Sequence, residues 1–170
     1  MILRMVALAL LLNLAPPTEI SSLAERLVPE SCPTTKPSDH PFVAPPHYRR
    51  APSIRSFWFG TDRFWTVLPK DATWGMGAKT FWWRQDWARY REIPEKDAIK
   101  LTVTARRLDG LTPAPKIGRA NRSYQERDGR RELFLVGFID FSSPGCWEIA
   151  GKYEEDELRF VVWVRKHDLR

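Results

Sequence analysis

Alternation of apolar and polar residues predicts strands over most of the second half of the chain. From Ile99 to Arg106 every second residue is apolar and the residues between are polar. This period of two is typical of a strand that buries one face. Aromatic or β-branched runs of suitable length predict further strands over 57–59, 64–68, 79–84, 133–141, 146–150 and 158–164.

The intervening residues predict turns and loops. Asp109-Gly110 and residues 142–145 are turn sequences, and the polar residues 154–156 predict the turn of a C-terminal β-hairpin. Residues 70–77 predict a loop, and 86–95 a short helical turn or loop. The strongly charged stretch 119–132 predicts a solvated loop that ends in an Asp-Gly turn, and the alternative for its arginines at 119, 122, 127, 130 and 131 is an anion site. The pattern therefore predicts an all-β fold, a β-sandwich of six to eight strands over 54–166, followed by a tail at 167–170.

A proline-rich stretch precedes the predicted domain. Seven prolines between Pro29 and Pro52 remove backbone donors and fix φ, so residues 16–53 are expected to form an extended arm. Such an arm acts as a recognition segment or a spacer, or it lies across the domain that follows it. The last interpretation is favoured here.

The N-terminus has the pattern of a signal peptide. Arg4 precedes an apolar run from Met5 to Leu12, which is too short for a membrane-spanning helix. We expect a leader over residues 1–15, with cleavage at a position up to 24, and a periplasmic or secreted protein. The alternative is a buried N-terminal helix.

Cys32 and Cys146 are the only cysteines in the chain. In an oxidising compartment two cysteines predict one disulfide, which would link the start of the mature chain to a site near its end. Two free thiols are the alternative. Neither cysteine has the neighbours of a zinc site.

Composition excludes some partners and favours none. The net charge is +6, but basic residues are not interleaved with aromatics in the way that nucleic-acid binding requires. No nucleic acid, no cofactor and no stable membrane span after leader removal are expected. The anticipated partner is an unknown protein or an envelope polymer.

Catalytic motifs are missing from the sequence. His40, His47 and His167 lie outside any motif with a nucleophile or a metal partner. Asp140 and Glu148 are acids within apolar strands, and a hydrolase would need both in one cleft about 5–9 Å apart. The acidic run 154–157 is read as a solvated loop, with a calcium site as the alternative.

Eight tryptophans are the strongest functional signal in the chain. Trp82 and Trp83 are adjacent in a predicted strand and must point to opposite faces. One of the two is expected to enter the core, and the other to face solvent or to lie beneath Trp87 or the proline-rich arm. An exposed ring would stack on a sugar or a partner side chain, whereas buried rings would simply fill the core.

The stretch 137–164, GFIDFSSPGCWEIAGKYEEDELRFVVWV, resembles a C-terminal signature of small exported bacterial proteins of unknown function. FWFGTDRFWTVLP, KLTVTARRLDG and the CPTTKP around Cys32 are similar to further parts of that group. The resemblance implies an immunoglobulin-like sandwich and no assigned activity.

These observations predict a non-catalytic extracytoplasmic binding domain with a surface at Trp82, Trp83 and Trp87. The first alternative is a purely structural or sensory envelope module whose aromatic residues all lie in the core. The second is a hydrolase that uses Asp140 and Glu148.

Overall fold

A computed structural model describes residues 28–38, 42–48, 53–89, 92–98, 100–127 and 129–166. The expected leader with its cleavage range, His40 and the tail 167–170 lie outside the described residues. The described residues form nine strands, and their helical structure consists of 3-10 turns at Pro46–Tyr48 and Gln85–Arg89 and one α-helical turn at Glu95–Ala98. The prediction of an all-β sandwich is confirmed, with nine strands in place of the six to eight expected.

Five strands form the first sheet, which we call sheet A. They are β1 (Ser56–Gly60), β2 (Phe64–Pro69), β4 (Gly77–Arg84), β6 (Lys116–Arg127) and β7 (Arg130–Asp140). The spatial order is β1-β2-β4-β7-β6, and every pair is antiparallel. A register shift between Gly118 and Asn121 bends β6 at the edge of the sheet.

Four strands form the second sheet, sheet B. They are β3 (Thr73–Gly75), β5 (Leu101–Arg107), β8 (Gly145–Tyr153) and β9 (Asp156–Arg165), in the order β3-β9-β8-β5. Strand β3 runs parallel to β9, while the other pairs are antiparallel. The predicted C-terminal hairpin is confirmed as β8 and β9.

The core lies between the two sheets because each strand turns its alternate apolar residues toward the other sheet. Sheet A contributes Phe64, Trp82, Leu135 and Ile139, and sheet B contributes Trp147, Ile149, Phe160 and Val162. Each of these side chains is at most 2% exposed. The two sheets therefore share one continuous apolar layer.

The charged stretch 119–132 is not a loop, as the sequence predicted, but most of β6 and the start of β7. Its polar residues are compatible with a strand because β6 lies at the sheet edge and has one neighbour, β7. The apolar run of β7 supplies the burial for this pair. Gly129, the second residue of the predicted Asp-Gly turn, has a φ of 72° and lies between the paired Arg127 and Arg130.

Cys32 and Cys146 form the predicted disulfide, with their Cα atoms 5.6 Å apart and a sequence separation of 114. Thr35 continues the attachment, because its N–H donates to the carbonyl of Val161 at 2.9 Å and its Oγ1 accepts from the Val161 N–H at 2.9 Å. The described segment 28–38 is therefore attached to sheet B by a disulfide to β8 and by two hydrogen bonds between Thr35 and Val161 of β9.

Candidate binding face

The adjacent Trp82 and Trp83 of β4 point to opposite sides of sheet A. Trp82 lies in the core, where its ring stacks on Phe64 with 5.4 Å between ring centroids. Its Nε1–H donates to Thr80 Oγ1 at 2.8 Å. Gly151 of the facing sheet leaves room for the ring, since a Cβ there would overlap the indole. Trp82 is thus a core residue whose ring is packed and whose N–H is hydrogen-bonded within the protein.

The other two tryptophans of the predicted surface are also buried. Trp83 and Trp87 are each 2% exposed, and Trp82 is completely buried. Trp87 packs its edge on Tyr153 at 5.5 Å. None of the three presents a ring to solvent, so of the two arrangements expected for the outward tryptophan the exposed one is not observed.

Trp83 belongs to a second apolar cluster on the outer side of sheet A, away from the core. Trp58, Trp65, Trp83 and Phe134 form this cluster, which we call the outer aromatic layer. Trp58 meets Trp83 edge-on at 4.9 Å, and Trp83 lies 5.3 Å from Phe134. Four strands each contribute one ring, because the outward positions of β1, β2, β4 and β7 lie side by side.

The segment 42–48 of the proline-rich stretch covers the outer aromatic layer. The Phe42 ring lies 6.1 Å from Trp65, and Tyr48 meets the same indole edge-on at 5.2 Å. Ala44 and Tyr48 are 3% and 2% exposed, whereas Val43 is 86% exposed. The segment therefore binds sheet A through selected residues while others face solvent. The ring contacts of the segment are made with Trp65, and Trp83 belongs to the same buried cluster.

The outer aromatic layer contains polar atoms that its cover leaves unsatisfied. Among the residues that the structure describes, the buried indole Nε1 atoms of Trp58, Trp65 and Trp83 have no hydrogen-bond partner. In the core, by contrast, Trp82 and Trp147 donate to Thr80 and to the carbonyl of Ser143. A buried donor without a partner costs about 1–3 kcal/mol. Three buried donors without partners in one cluster are unusual, because most buried polar groups in protein cores are hydrogen-bonded.

Electrostatics also distinguish this layer. Burial of the Tyr48 hydroxyl, together with the negative charge of Glu132, raises the pKa of Tyr48 to about 12. Glu132 is 5% exposed and accepts a hydrogen bond from Gln125 Nε2 at 2.6 Å. A neutral phenol is therefore retained beside a buried carboxylate.

The apolar surface continues beyond the segment that covers it. Phe81 and Val136 are partly buried members of the same cluster, and Phe138 is 44% exposed. A Cβ on Gly77 or Gly118 would contact Phe138 at 3.6 or 3.4 Å, so these glycines of the two neighbouring strands flank that side chain. We call Phe81, Val136 and Phe138 the open strip.

The two acids of the hydrolase hypothesis do not share a cleft. Asp140 follows the inward Ile139 and lies on the outer side of sheet A. Glu148 lies between the inward Trp147 and Ile149, on the outer side of sheet B, where it pairs with Arg106 at 3.1 Å and Arg159 at 3.4 Å. The core separates the two carboxylates, so this pair does not meet the geometric requirement for glycoside hydrolysis.

The acidic turn at 154–157 makes ion pairs. Glu154 accepts hydrogen bonds from Lys100 at 2.7 Å and from Arg84 at 2.8 Å, and these bonds lower the pKa of its carboxyl. Asp156 lies 3.4 Å from Arg63. Glu154 and Asp156 both lie near the guanidinium of Arg84, at 2.8 and 3.8 Å, so these two carboxylates pair with cations of the same chain.

The described residues contain neither a cluster of metal ligands nor a helix suited to cross a membrane. Over the described ranges, no three His, Cys, Asp or Glu side chains come together to hold a metal ion. None of the helical turns in that part of the chain has the length and apolarity of a membrane-spanning helix.

Comparison of the chain with models of protein families, with curated proteins and with solved structures finds no match. The site must therefore be interpreted from its own geometry.

Proposed function

We propose that this chain is a non-catalytic extracytoplasmic binding domain whose interaction surface is the outer side of sheet A. Its partner is an extended protein segment that contains proline and aromatic residues. The observation that carries the proposal is the seating of the chain's own segment 42–48 on the outer aromatic layer.

That segment indicates which chemistry the layer accepts. It has the sequence FVAPPHY. The rings of Phe42 and Tyr48 and the small side chain of Ala44 pack on the sheet, whereas Val43 between them is exposed. Proline-rich segments bind aromatic surfaces well because their restricted backbone loses little conformational entropy. The segment thus acts as an internal ligand.

The segment 42–48 does not contact every group on the outer side of sheet A that a partner could bind. Within the described residues the three indole donors of Trp58, Trp65 and Trp83 lack acceptors, and Phe138 of the open strip is 44% exposed. A partner that offers backbone carbonyl oxygens to the indoles and extends over Phe138 would gain both contributions. Such a partner competes with the internal segment, whose tether gives it a high effective concentration.

The test uses a fluorescent peptide FVAPPHY and measures its binding by anisotropy. In the double variant Phe42→Ala/Tyr48→Ala the internal segment loses both ring anchors, so the free peptide should bind at least about tenfold more tightly than to the unmodified protein. Val43→Ala is the matched control within the segment, because Val43 is 86% exposed, and it should behave as the unmodified protein.

A control peptide, AVAPPHA, keeps the prolines and lacks the rings. Equal binding of the two peptides to the double variant, or no binding of FVAPPHY, would contradict the proposal. Near-ultraviolet circular dichroism of the core tryptophans shows whether the double variant is folded.

A second candidate is a structural or sensory envelope module without a ligand. Burial of Trp82, Trp83 and Trp87 favours it, because this alternative places every large ring inside the protein. It predicts that the double variant only loses stability and gains no affinity for the peptide. The peptide experiment therefore distinguishes the two candidates.

The proposal also includes an extracytoplasmic location and a likeness to small exported bacterial proteins. The Cys32–Cys146 disulfide supports an oxidising, extracytoplasmic compartment, because such bonds persist there. The immunoglobulin-like assignment and the likeness to small exported bacterial proteins stay predictions, carried by the signature at 137–164.

A further inference from the structure

A second surface lies at the distal end of the β6–β7 hairpin, on the inward side of sheet A. An open cleft of about 340 Å³ is present there, lined by Glu92, Ile93, Arg122, Tyr124, Arg131 and Leu133, together with Ser123. Ile93 and Leu133 are 1% and 3% exposed and form an apolar floor. The cleft is at the lower end of the size range of small-ligand sites.

One wall of the cleft is an exposed aromatic ring with a guanidinium against it. Tyr124 is paired with Leu133, and Glu126 with Arg131, so Tyr124 and Arg131 are diagonal neighbours on the same face of the hairpin. Arg131 Cζ lies 4.2 Å from the centre of the Tyr124 ring. The ring is nevertheless 55% exposed, which leaves area for a ligand.

The second wall carries another positioned guanidinium. Arg122 Nη1 donates to the carbonyl of Ile93 at 3.1 Å and to Glu92 Oε1 at 2.9 Å. A guanidinium has five N–H donors, so these two bonds leave it able to bind a ligand. The bond to the Ile93 carbonyl fixes the position of Arg122 even when the Glu92 side chain moves away.

We infer that this cleft binds an acidic sugar, a pyranose ring that carries a carboxylate. The C–H groups of a sugar ring pack on the negatively polarised face of Tyr124. The carboxylate takes the place of the Glu92 carboxylate at Arg122 or of Glu126 at Arg131. Both existing pairs are largely exposed, at 2.9 and 3.5 Å, and exposed ion pairs are weak enough to be exchanged. This inference is independent of the peptide surface on sheet A.

The test is calorimetric titration with trigalacturonic acid at low salt, with maltotriose as the neutral trisaccharide of the same ring number. We expect saturable binding of the acidic sugar alone. Tyr124→Ala and Arg131→Ala should each weaken it at least about tenfold, which corresponds to about 1.4 kcal/mol. Tyr124→Phe keeps the ring and should retain most of the affinity.

Arg130→Ala is the matched charge control, because Arg130 is the neighbour of Arg131 and does not line the cleft. It should weaken binding less than about threefold, an effect of overall charge. Three results would overturn the inference: no binding of trigalacturonic acid, equal binding of maltotriose, or equal losses for the two arginine variants. Circular dichroism of each variant excludes unfolding as the cause of a loss.

Discussion

The two sides of sheet A differ in how completely their aromatic residues are satisfied. On the inner side, Trp82 stacks on Phe64, donates to Thr80 and fills the space that Gly151 provides. On the outer side, the neighbouring Trp83 is buried to a similar extent, yet its indole N–H has no partner. Burial alone therefore does not distinguish a structural ring from one that belongs to a binding surface.

The inner and outer sides of sheet A are also covered by different parts of the chain. Sheet B covers the inner side, and its four strands are hydrogen-bonded to one another. The segment 28–38 is attached to this sheet by the disulfide and by the hydrogen bonds of Thr35. The outer side is covered by the short segment 42–48, which contributes two rings and an alanine to the cluster. A cover of this size can be displaced by a competing segment without opening the core.

The largest effect should come from a methyl group added on the inner side. Gly151→Ala places a Cβ on the Trp82 indole, which is enclosed and has nowhere to move. We expect a loss of about 3 kcal/mol or more in the free energy of unfolding, measured with urea. Gly118→Ala is the outer-side control, since its Cβ would lie 3.4 Å from the Phe138 Cβ at an exposed position. A control loss equal to that of Gly151→Ala would contradict the distinction.

A smaller difference should separate two identical substitutions in adjacent positions. Trp82→Phe leaves a cavity and removes the hydrogen bond to Thr80, so we expect a loss of about 2–3 kcal/mol. Trp83→Phe also leaves a cavity, but it deletes a donor that had no partner, and about 1 kcal/mol is expected. Chemical denaturation of both variants measures the difference. Equal losses would show that the outer indole is as well satisfied as the inner one.

The smallest effect concerns the segment that covers the outer layer, at alkaline pH. Tyr48 has a pKa of about 12 in the folded protein against an ordinary value of 10.0. The unfolded chain therefore loses this proton first, and stability decreases as pH rises from 10 toward 12. At pH 10.5 the contribution amounts to under about 1 kcal/mol.

Tyr48→Phe should remove this part of the pH dependence. The comparison is the difference in unfolding free energy between pH 8 and pH 10.5, measured for the variant and for the unmodified protein. An unchanged pH dependence in the variant would mean that the Tyr48 hydroxyl is not held in its protonated form by the fold.

Much of the fold was predictable because its signals are local. Alternation from Leu101 to Ala105 marks β5, and the polar turn before Asp156 marks the last hairpin. The disulfide followed from the number of cysteines and the expected compartment. Strand β6 was missed, because an edge strand needs few apolar residues and its charged positions resemble those of a loop.

The candidate site was predictable only in part. The opposite orientation of Trp82 and Trp83 follows from strand geometry, but which side would be covered depends on a segment that is distant in the chain. The rings Phe42 and Tyr48, which lie within a proline-rich stretch, were a usable signal for that cover. The arginines of the stretch 119–132 were the one signal for the cleft at Tyr124, but its shape was not predictable because it depends on the pairing of β6 with β7.

The most direct test of the central claim is a ¹⁵N spectrum of the indole N–H groups during titration of the Phe42→Ala/Tyr48→Ala variant with FVAPPHY. The indole signals report the outer and inner tryptophans separately after assignment by single substitution. Our account predicts downfield shifts and slower hydrogen exchange for Trp58, Trp65 and Trp83, and unchanged signals for Trp82 and Trp147. Unchanged signals from the three outer indoles, or equal changes in all five, would contradict it.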